Sequence, residues 1–209
     1  MVHSRLHAQG LDARVQAADE MTDGAAKIGT ERLILRKWRE SDREPFARMN
    51  ADPAVMEHFP ALLSRQESDA LVDRAEAHLQ QHGFGPWAEL RETGEFIGYV
   101  GLVIPRFEEV FMPCVEIGWR LARKHWGKGL ATEGARTLVR HGFEVQRLLE
   151  LVSFTVPANL RSLRVMQKLG MRRDPRDDFD HPSIPEGHPL RRHVLYRLRR
   201  DEWMATNLG

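Results

Sequence analysis

The segment Val115–Phe143 constrains the fold and the function more than any other part of the sequence. It begins as an apolar, β-branched run, passes through a turn with two glycines and continues as an amphipathic helix. Glycine lets the backbone approach a ligand closely, and the first turn of a helix offers free N–H groups and a partial positive charge. We therefore interpret this turn as a cradle for a pyrophosphate, formed by Trp126, Gly127, Lys128, Gly129, Leu130, Ala131 and Thr132.

The spacing of the two glycines separates this turn from the common nucleotide loops. A Walker loop requires GxxxxGK followed by Ser or Thr, and the sequence contains no such string. A dinucleotide fingerprint requires GxGxxG, but Thr132 follows Gly127 and Gly129 where the third glycine or alanine belongs. Taken alone, two glycines before a helix most often form only a turn.

Two strings in this segment resemble a known cofactor motif. Glu116–Trp119 reads EIGW and Trp126–Ala135 reads WGKGLATEGA. Together they resemble the acetyl-CoA-binding motif of the GCN5-related N-acetyltransferase (GNAT) superfamily, most closely its RimJ/RimL-like branch, which acetylates the N-terminal amines of ribosomal proteins. Gly129 and Ala131 match the general family pattern, and Trp126 replaces its Arg or Gln, as is usual for that branch. The resemblance implies acetyl-CoA as the cosubstrate.

A second string downstream resembles the same family. Residues 159–171 read NLRSLRVMQKLGM, similar to the family segment NxxSxRVMEKLGF. The resemblance implies that Asn159 meets the pantetheine arm and that Ser162 lies near the thioester. Residues 194–203 also look like the end of this family, so the resemblance covers roughly residues 30–203. Two matches in the order found in the family are much stronger evidence for the resemblance than either match alone.

The periodicity of the chain predicts one α/β (α+β) domain over residues 29–204, preceded by a flexible extension over residues 1–28. Helices are expected to start at the capping-box positions Ser41 and Ser64 and at the N-cap Asn159, the last buried through Leu160, Leu163, Met166 and Leu169. Predicted strands are Leu33–Lys37, Trp87–Leu90, Phe96–Val103, Val115–Leu121, Leu149–Phe154 and Val194–Leu198. The resemblance implies a mixed, mostly antiparallel sheet in which the fourth and fifth of these strands are parallel and splay apart around acetyl-CoA.

Composition narrows the possible partners and compartments. The 209 residues carry a net charge of only +1, so no general affinity for nucleic acid is expected. Neither an 18-residue apolar run nor a signal-peptide core is present, and we expect a cytoplasmic protein without a membrane partner. The single cysteine, Cys114, has apolar neighbours, which indicates a buried structural thiol. The sequence leaves open whether the chain forms a homodimer.

Acetyl transfer to an amine needs a base for the amine proton, a donor for the thioester oxygen and a proton for the departing thiolate. Glu116 is the predicted base, because it is a charged residue on a strand of core residues just before the glycine turn. The alternatives for Glu116 are an exposed carboxylate or an ion pair with Arg120. A backbone N–H near Arg120 or Leu121 is the expected oxyanion donor, which adds Leu121 to the cofactor contacts.

Members of the resembled family often supply the proton for the thiolate from a tyrosine late in the fold. Tyr99 and Tyr196 are the only tyrosines here, and neither follows Asn159 at the expected distance. Ser162 is therefore the predicted acid, with a role restricted to helix capping as the alternative. The acidic loop with Asp177, Asp178, Asp180, His181 and His188 fits no metal-ligand spacing, and we expect no metal.

The acceptor stays open at this stage. The branch resemblance favours a peptide N-terminus, whereas related folds acetylate small-molecule amines. The connection His58–Pro60 between the first two helices is expected to contribute an apolar contact to the acceptor. A non-catalytic acyl-CoA-binding sensor or interaction module is the alternative to an enzyme.

Overall fold

The computed structural model describes residues 27–90 and 93–207. Within them, nine strands form one mixed sheet in the order β1-β2-β3-β4-β5-β6-β9-β7, with β8 paired to β9. The strands are β1 (Lys27–Gly29), β2 (Leu33–Arg36), β3 (Pro86–Leu90), β4 (Phe96–Val103), β5 (Glu116–Leu121), β6 (Glu150–Thr155), β7 (Arg172–Arg173), β8 (Phe179–Asp180) and β9 (Arg192–Arg199). The helices are α1 (Glu40–Asn50), α2 (Arg65–His82), α3 (Leu130–Glu144), α4 (Leu160–Lys168) and α5 (Arg200–Asn207).

All neighbouring strands pair antiparallel except β5 and β6, which are parallel. Their ladder has a single register pair among the described residues, Glu116 opposite Val152, and the Val152 N–H donates to the Val115 carbonyl at 2.9 Å. The remainder of β5 therefore has a ladder partner only on its β4 side. This confirms the predicted α/β fold with a mixed, mostly antiparallel sheet and a parallel strand pair that separates.

Helices cover both faces of the sheet. On one face, α3 buries Leu130, Ala135, Leu138 and Phe143 against the strands, together with residues of α4. A Cβ on Gly134 would lie 2.7 Å from Val100 Cγ1, so α3 packs on β4 at a distance that only glycine permits. On the other face, α1 and α2 enclose a separate cluster of Trp38, Phe46, Met49, Val55 and Val72. The two faces of the sheet thus pack against different cores, with Ile97 of β4 in the first and Phe96 of β4 against the second.

Local signals placed two helices correctly. The Ser64 hydroxyl accepts the Glu67 N–H at 3.2 Å and the Glu67 carboxylate accepts the Ser64 N–H at 2.7 Å, and α2 ends at Gly83 with φ +72°. The Asn159 side chain caps α4. The predicted N-terminus of α1 is wrong by two residues: Arg39 is the N-cap, because the Asp42 carboxylate accepts its N–H at 2.8 Å.

Three further features differ from the predictions. Leu160 was expected in the core but is 58% exposed, because it stands at the first position of α4, whereas Met166 and Leu169 are buried. The loop over residues 174–189 contains the two-residue strand β8. Strand β1 begins at Lys27, two residues before the predicted domain. Residues 1–26, where the flexible extension was predicted, lie outside the described residues.

Candidate active site

The glycine turn after β5 has the geometry of an anion cradle. Gly127 and Gly129 have φ values of +72° and +78°, which residues with a Cβ adopt only at a cost. Gly129 is the N-cap of α3, and the Glu133 N–H is the first to bond back to it, at 3.0 Å. The N–H groups of residues 130–132 therefore have no acceptor within the helix. Gly127, Lys128 and Gly129 are exposed, so a ligand can reach these amides.

Two residues that the sequence analysis missed hold this turn. Arg32, just before β2, donates to the Lys128 carbonyl at 2.9 Å and pairs with Glu133 at 2.6 Å. Glu133 also accepts the Thr30 hydroxyl and the Arg32 N–H. Although burial opposes it, these hydrogen bonds keep the pKa of Glu133 below its usual value. The first turn of α3 is thus anchored to the start of the sheet.

Trp126 connects the turn to the end of β5. Its indole N–H donates to the Leu121 carbonyl at 2.7 Å, which fixes the turn to the end of β5. The Arg161 guanidinium lies 4.3 Å from the centroid of the Trp126 ring and pairs with Glu57 at 2.7 Å. Leu130 is buried, so its side chain belongs to the core and only its amide faces the turn.

Glu116 lies in a cavity of about 220 Å³ on the α1–α2 face of the sheet. Part of its carboxyl remains accessible from the cavity, yet desolvation by the surrounding protein raises its pKa to about 8. No cation forms an ion pair with it in residues 27–90 and 93–207. The ion pair with Arg120 considered above is therefore not formed. The lining residues are Trp38, Phe46, Leu71, Arg74, Ala75, His78, Tyr99, Gly101, Val103, Ile104, Arg106, Glu116, Gly118 and Arg120.

The direction of the amides along β5 selects between the two expected oxyanion donors. The Ala122 N–H bonds the Ile97 carbonyl of the neighbouring chain segment at 2.9 Å. Because N–H groups alternate between the two edges of a strand, the Arg120 N–H points to β4 and the Leu121 N–H points to the gap beside β6. The gap is where β5 has lost its parallel partner. Leu121 is thus the better-placed donor.

Ser162 and Asn159 lie on the other side of this gap, at the start of α4. The Ser162 hydroxyl accepts the Trp119 indole N–H at 3.3 Å, and its backbone N–H donates to Asn159 Oδ1 at 3.2 Å. Asn159 Nδ2 donates to Thr155 at 3.0 Å. The hydroxyl proton of Ser162 has no acceptor among the described residues. Ser162 and Glu116 therefore lie on opposite faces of β5. Ser162 lies on the face covered by α4, and Glu116 lies on the face that lines the cavity.

The acidic loop and the cysteine have structural roles. Asp177 pairs with Arg197 at 2.7 Å, Asp178 with Arg173, and Asp180 with Arg192 at 3.3 Å. No group of three or more His, Cys, Asp or Glu side chains could hold a metal ion in the part of the chain that the structure describes. Cys114 is buried, and desolvation raises its pKa to about 12, as expected for a structural thiol.

The comparisons with known proteins agree with this geometry. Residues 32–172 match the model of the acetyltransferase (GNAT) domain. YkkB of Bacillus subtilis is 33% identical over 147 residues, covering 69% of this chain and 84% of that protein. The FsC-acetyl coenzyme A-N(2)-transacetylase of Aspergillus fumigatus is 31% identical over 188 residues, covering 85% and 77%. A GNAT-family acetyltransferase structure from Bacillus anthracis superposes with a TM-score of 0.69 at 26% identity, covering 84% and 99%.

The chain belongs to the GNAT acetyltransferase family, a family of enzymes that use acetyl-CoA. The predicted enzyme class, an N-acetyltransferase, is confirmed. A structure of RimL, a ribosomal L7/L12 α-N-protein acetyltransferase in complex with coenzyme A, shares the fold with a TM-score of 0.67 at 16% identity. This likeness shows a shared fold. Among the described residues, no helix is long and apolar enough to cross a membrane.

Proposed function

We propose that this protein transfers the acetyl group of acetyl-CoA directly to a primary amine, without a covalent enzyme intermediate. The observation that carries the proposal is the position of Glu116, which faces the cavity with a raised pKa beside the gap between β5 and β6. The names of the relatives offer two acceptors, a protein α-amine for RimL and an N(2) position for the fungal FsC-acetyl coenzyme A-N(2)-transacetylase. We favour an α-amine for this chain.

The residues of the turn fit the pyrophosphate of acetyl-CoA. The amides after Gly129, which have no acceptor within the helix, and the positive end of α3 would bind the phosphates, with the exposed Lys128 beside them. A Cβ on Gly129 would lie near Arg32 and in the approach to these amides. Asn159 and the open edge of β5 would line the path of the pantetheine arm towards Leu121.

Glu116 would take the proton from the acceptor ammonium, directly or through one water. The neutral amine then forms a bond to the acetyl carbon while the carbon–sulfur bond breaks and the thiolate leaves. A general base works best when its pKa lies near the working pH, where the acceptor amine must also be able to lose its proton. An α-ammonium has a pKa of about 7.7–8.0 and a lysine ammonium about 10.4. The raised pKa of Glu116 therefore matches an α-amine better than a lysine side chain.

The Leu121 N–H would stabilise the carbonyl oxygen as negative charge develops on it. Ser162 would give its hydroxyl proton to the departing thiolate, since the Trp119 indole already occupies one lone pair of that oxygen. It would regain a proton through water from the nitrogen, which loses its second proton as the amide forms. Water can replace a hydroxyl in this role, so the contribution of Ser162 is expected to be smaller than that of Glu116.

The test is acetyl-CoA turnover, followed as free CoA thiol, with a panel of amines and free-N-terminus peptides. We expect Glu116→Gln to lower kcat/KM for the acceptor by about 10²–10⁴ and Ser162→Ala by about tenfold. Normal turnover in both variants would remove these assignments. Tight acetyl-CoA binding without turnover of any amine would favour the alternative of a non-catalytic acyl-CoA-binding module.

A further inference from the structure

The cavity that contains Glu116 also contains an arginine held in place by neutral groups. Arg120 follows Glu116 on the same face of β5, and its Nη1 donates to Asn50 Oδ1 at 2.6 Å. Asn50 is fully buried at the end of α1 and donates in turn to the hydroxyl of the buried Ser68 at 2.8 Å. The Phe59 ring covers the guanidinium, with 4.0 Å between the ring centroid and Arg120 Cζ. The side chain is therefore ordered without a carboxylate.

The positive charge of Arg120 is not neutralised by the protein. Arg120 forms no ion pair across residues 27–90 and 93–207, and its Nε is buried without a hydrogen-bond partner. Arg36, which is also buried, makes the useful contrast. It forms a bidentate pair with the Asp42 carboxylate at 2.7 and 2.9 Å, so this chain does supply a carboxylate where a buried arginine has a structural role. The neutral amide of Asn50 orients Arg120 without neutralising its charge, which therefore remains available to a ligand.

The residues at the mouth of the cavity are also positively charged. Arg74 on α2 and Arg106 after β4 line it, are exposed, and make no ion pair with the described residues. His78 adds no charge, because its Nε2 accepts the Ile104 N–H at 3.0 Å and its Nδ1 donates to the Phe84 carbonyl at 2.9 Å. Glu116 is the only acid among the described lining residues, and even when it is ionised its single negative charge is outnumbered by Arg74, Arg106 and Arg120. The cavity thus carries an uncompensated positive charge.

We propose that the acceptor is a primary amine that also carries a carboxylate, and that Arg120 binds this carboxylate while Arg74 and Arg106 attract it. The proposal rests on the proposed function, because it assigns the acceptor of the same site. A guanidinium that lines the cavity without a carboxylate partner can bind a planar carboxylate through its Nη groups. With a volume of about 220 Å³ the cavity is below the roughly 300–1,000 Å³ of drug-sized sites. It suits a free amino acid or the acidic first residue of a peptide.

The experiment compares acceptors that match in size and differ in charge. The probes are L-alanine with L-alanine amide, and the peptides Asp-Ala-Ala amide with Asn-Ala-Ala amide, each assayed for CoA release under saturating acetyl-CoA. We expect the anionic member of at least one pair to have a kcat/KM about tenfold or more above its neutral partner, mainly through KM. The pair that shows the preference distinguishes a free amino acid from a peptide.

Three variants locate the preference. Arg120→Gln is expected to reduce the anionic preference to less than about threefold, and Arg106→Gln to weaken it partly and only at low salt. Arg140→Gln removes an exposed arginine on α3, away from the cavity, that makes no ion pair with any described residue, and it is expected to leave the preference unchanged. Thermal unfolding of Arg120→Gln reports whether the fold survives; if it does not, the salt-sensitive effect of Arg106→Gln decides.

The outcomes separate this inference from the proposed function. Turnover of neutral and anionic partners at equal rates would overturn the inference and leave the proposed function intact. If acetyl-CoA binds but no amine is acetylated, the proposed function fails, and calorimetric titration of the same four probes into the CoA-loaded protein decides the inference. Binding of an anionic probe that Arg120→Gln abolishes would support it, and absence of binding by every anionic probe would overturn it.

Discussion

The indole N–H of Trp119 donates to the hydroxyl of Ser162 at 3.3 Å and so links the open end of β5 to the first turn of α4. The two residues are 43 positions apart, and the link crosses the gap that the separation of β5 and β6 creates. It orients the Ser162 oxygen, with Asn159 fixing the backbone beneath it. The sequence pointed to Ser162 but not to the residue that positions it.

This link predicts that Trp119 and Ser162 act as one unit. We expect Trp119→Phe and Ser162→Ala each to lower kcat by about tenfold, and the double variant to lose little more than either single one. The measurement is a double-mutant cycle on kcat at saturating acetyl-CoA, with circular dichroism to check the fold. Losses that multiply would show that the two side chains act independently.

The raised pKa of Glu116 predicts the pH dependence of the reaction. A base must be ionised, so kcat/KM for the acceptor is expected to fall about tenfold per unit as the pH drops below about 8. In Glu116→Gln this fall of kcat/KM at low pH should instead follow the pKa of the acceptor, near 8 for an α-amine and above 10 for a lysine side chain. Profiles with both acceptors distinguish the two cases. A wild-type limb that moves with the acceptor would contradict the assignment.

Gly98 predicts a stability effect near the site. Its φ is +132°, and an added Cβ would lie 2.1 Å from the Arg120 carbonyl oxygen. Gly98→Ala is expected to destabilise the fold by more than about 3 kcal/mol. Gly94→Ala is the matched control, because Gly94 has φ +66° but no atom within 4 Å of the added Cβ, and about 1–2 kcal/mol is expected. Urea unfolding of both variants gives the comparison, and equal losses would exclude a close contact at Gly98.

The burial of Cys114 predicts that its thiol reacts slowly with alkylating reagents. Burial raises its pKa to about 12, so almost no thiolate exists at neutral pH, and the side chain is only 7% exposed. We expect an alkylating reagent to modify the native protein far more slowly than the urea-unfolded protein at the same pH. Mass spectrometry over time gives both rates. Rapid native labelling without loss of the fold would place the thiol at the surface instead.

Local patterns predicted much of the fold. The capping box of Ser64 and Glu67, the N-cap at Asn159 and the alternation of faces along Val115–Leu121 depend on residues a few positions apart, and the structure confirms them. The start of α1 was misplaced because Asp42, which pairs with Arg36 on the preceding strand, also caps Arg39. A contact with the preceding strand thus overrode the local capping signal at Ser41.

The parts of the site that sequence did not reveal depend on contacts between distant residues. Arg32 meets Glu133 across 101 positions, and Arg120 meets Asn50 across 70. Neither pair leaves a periodic or spacing signal, because in the sequence each of these polar residues looks like an ordinary surface residue. The family resemblance supplied the cofactor turn and Glu116, whereas the charge of the acceptor cavity required the fold.

The central claim is that the turn over residues 126–132 binds the pyrophosphate of acetyl-CoA, and calorimetric titration of acetyl-CoA tests it most directly. Gly129→Glu would place a carboxylate at the exposed amides, so micromolar binding by the wild type is expected to be lost. Gly83→Glu is the matched control, since it adds the same side chain at a similar φ of +72° far from the turn, and it should bind normally. No binding to folded wild type, or equal binding by all three proteins, would contradict the claim.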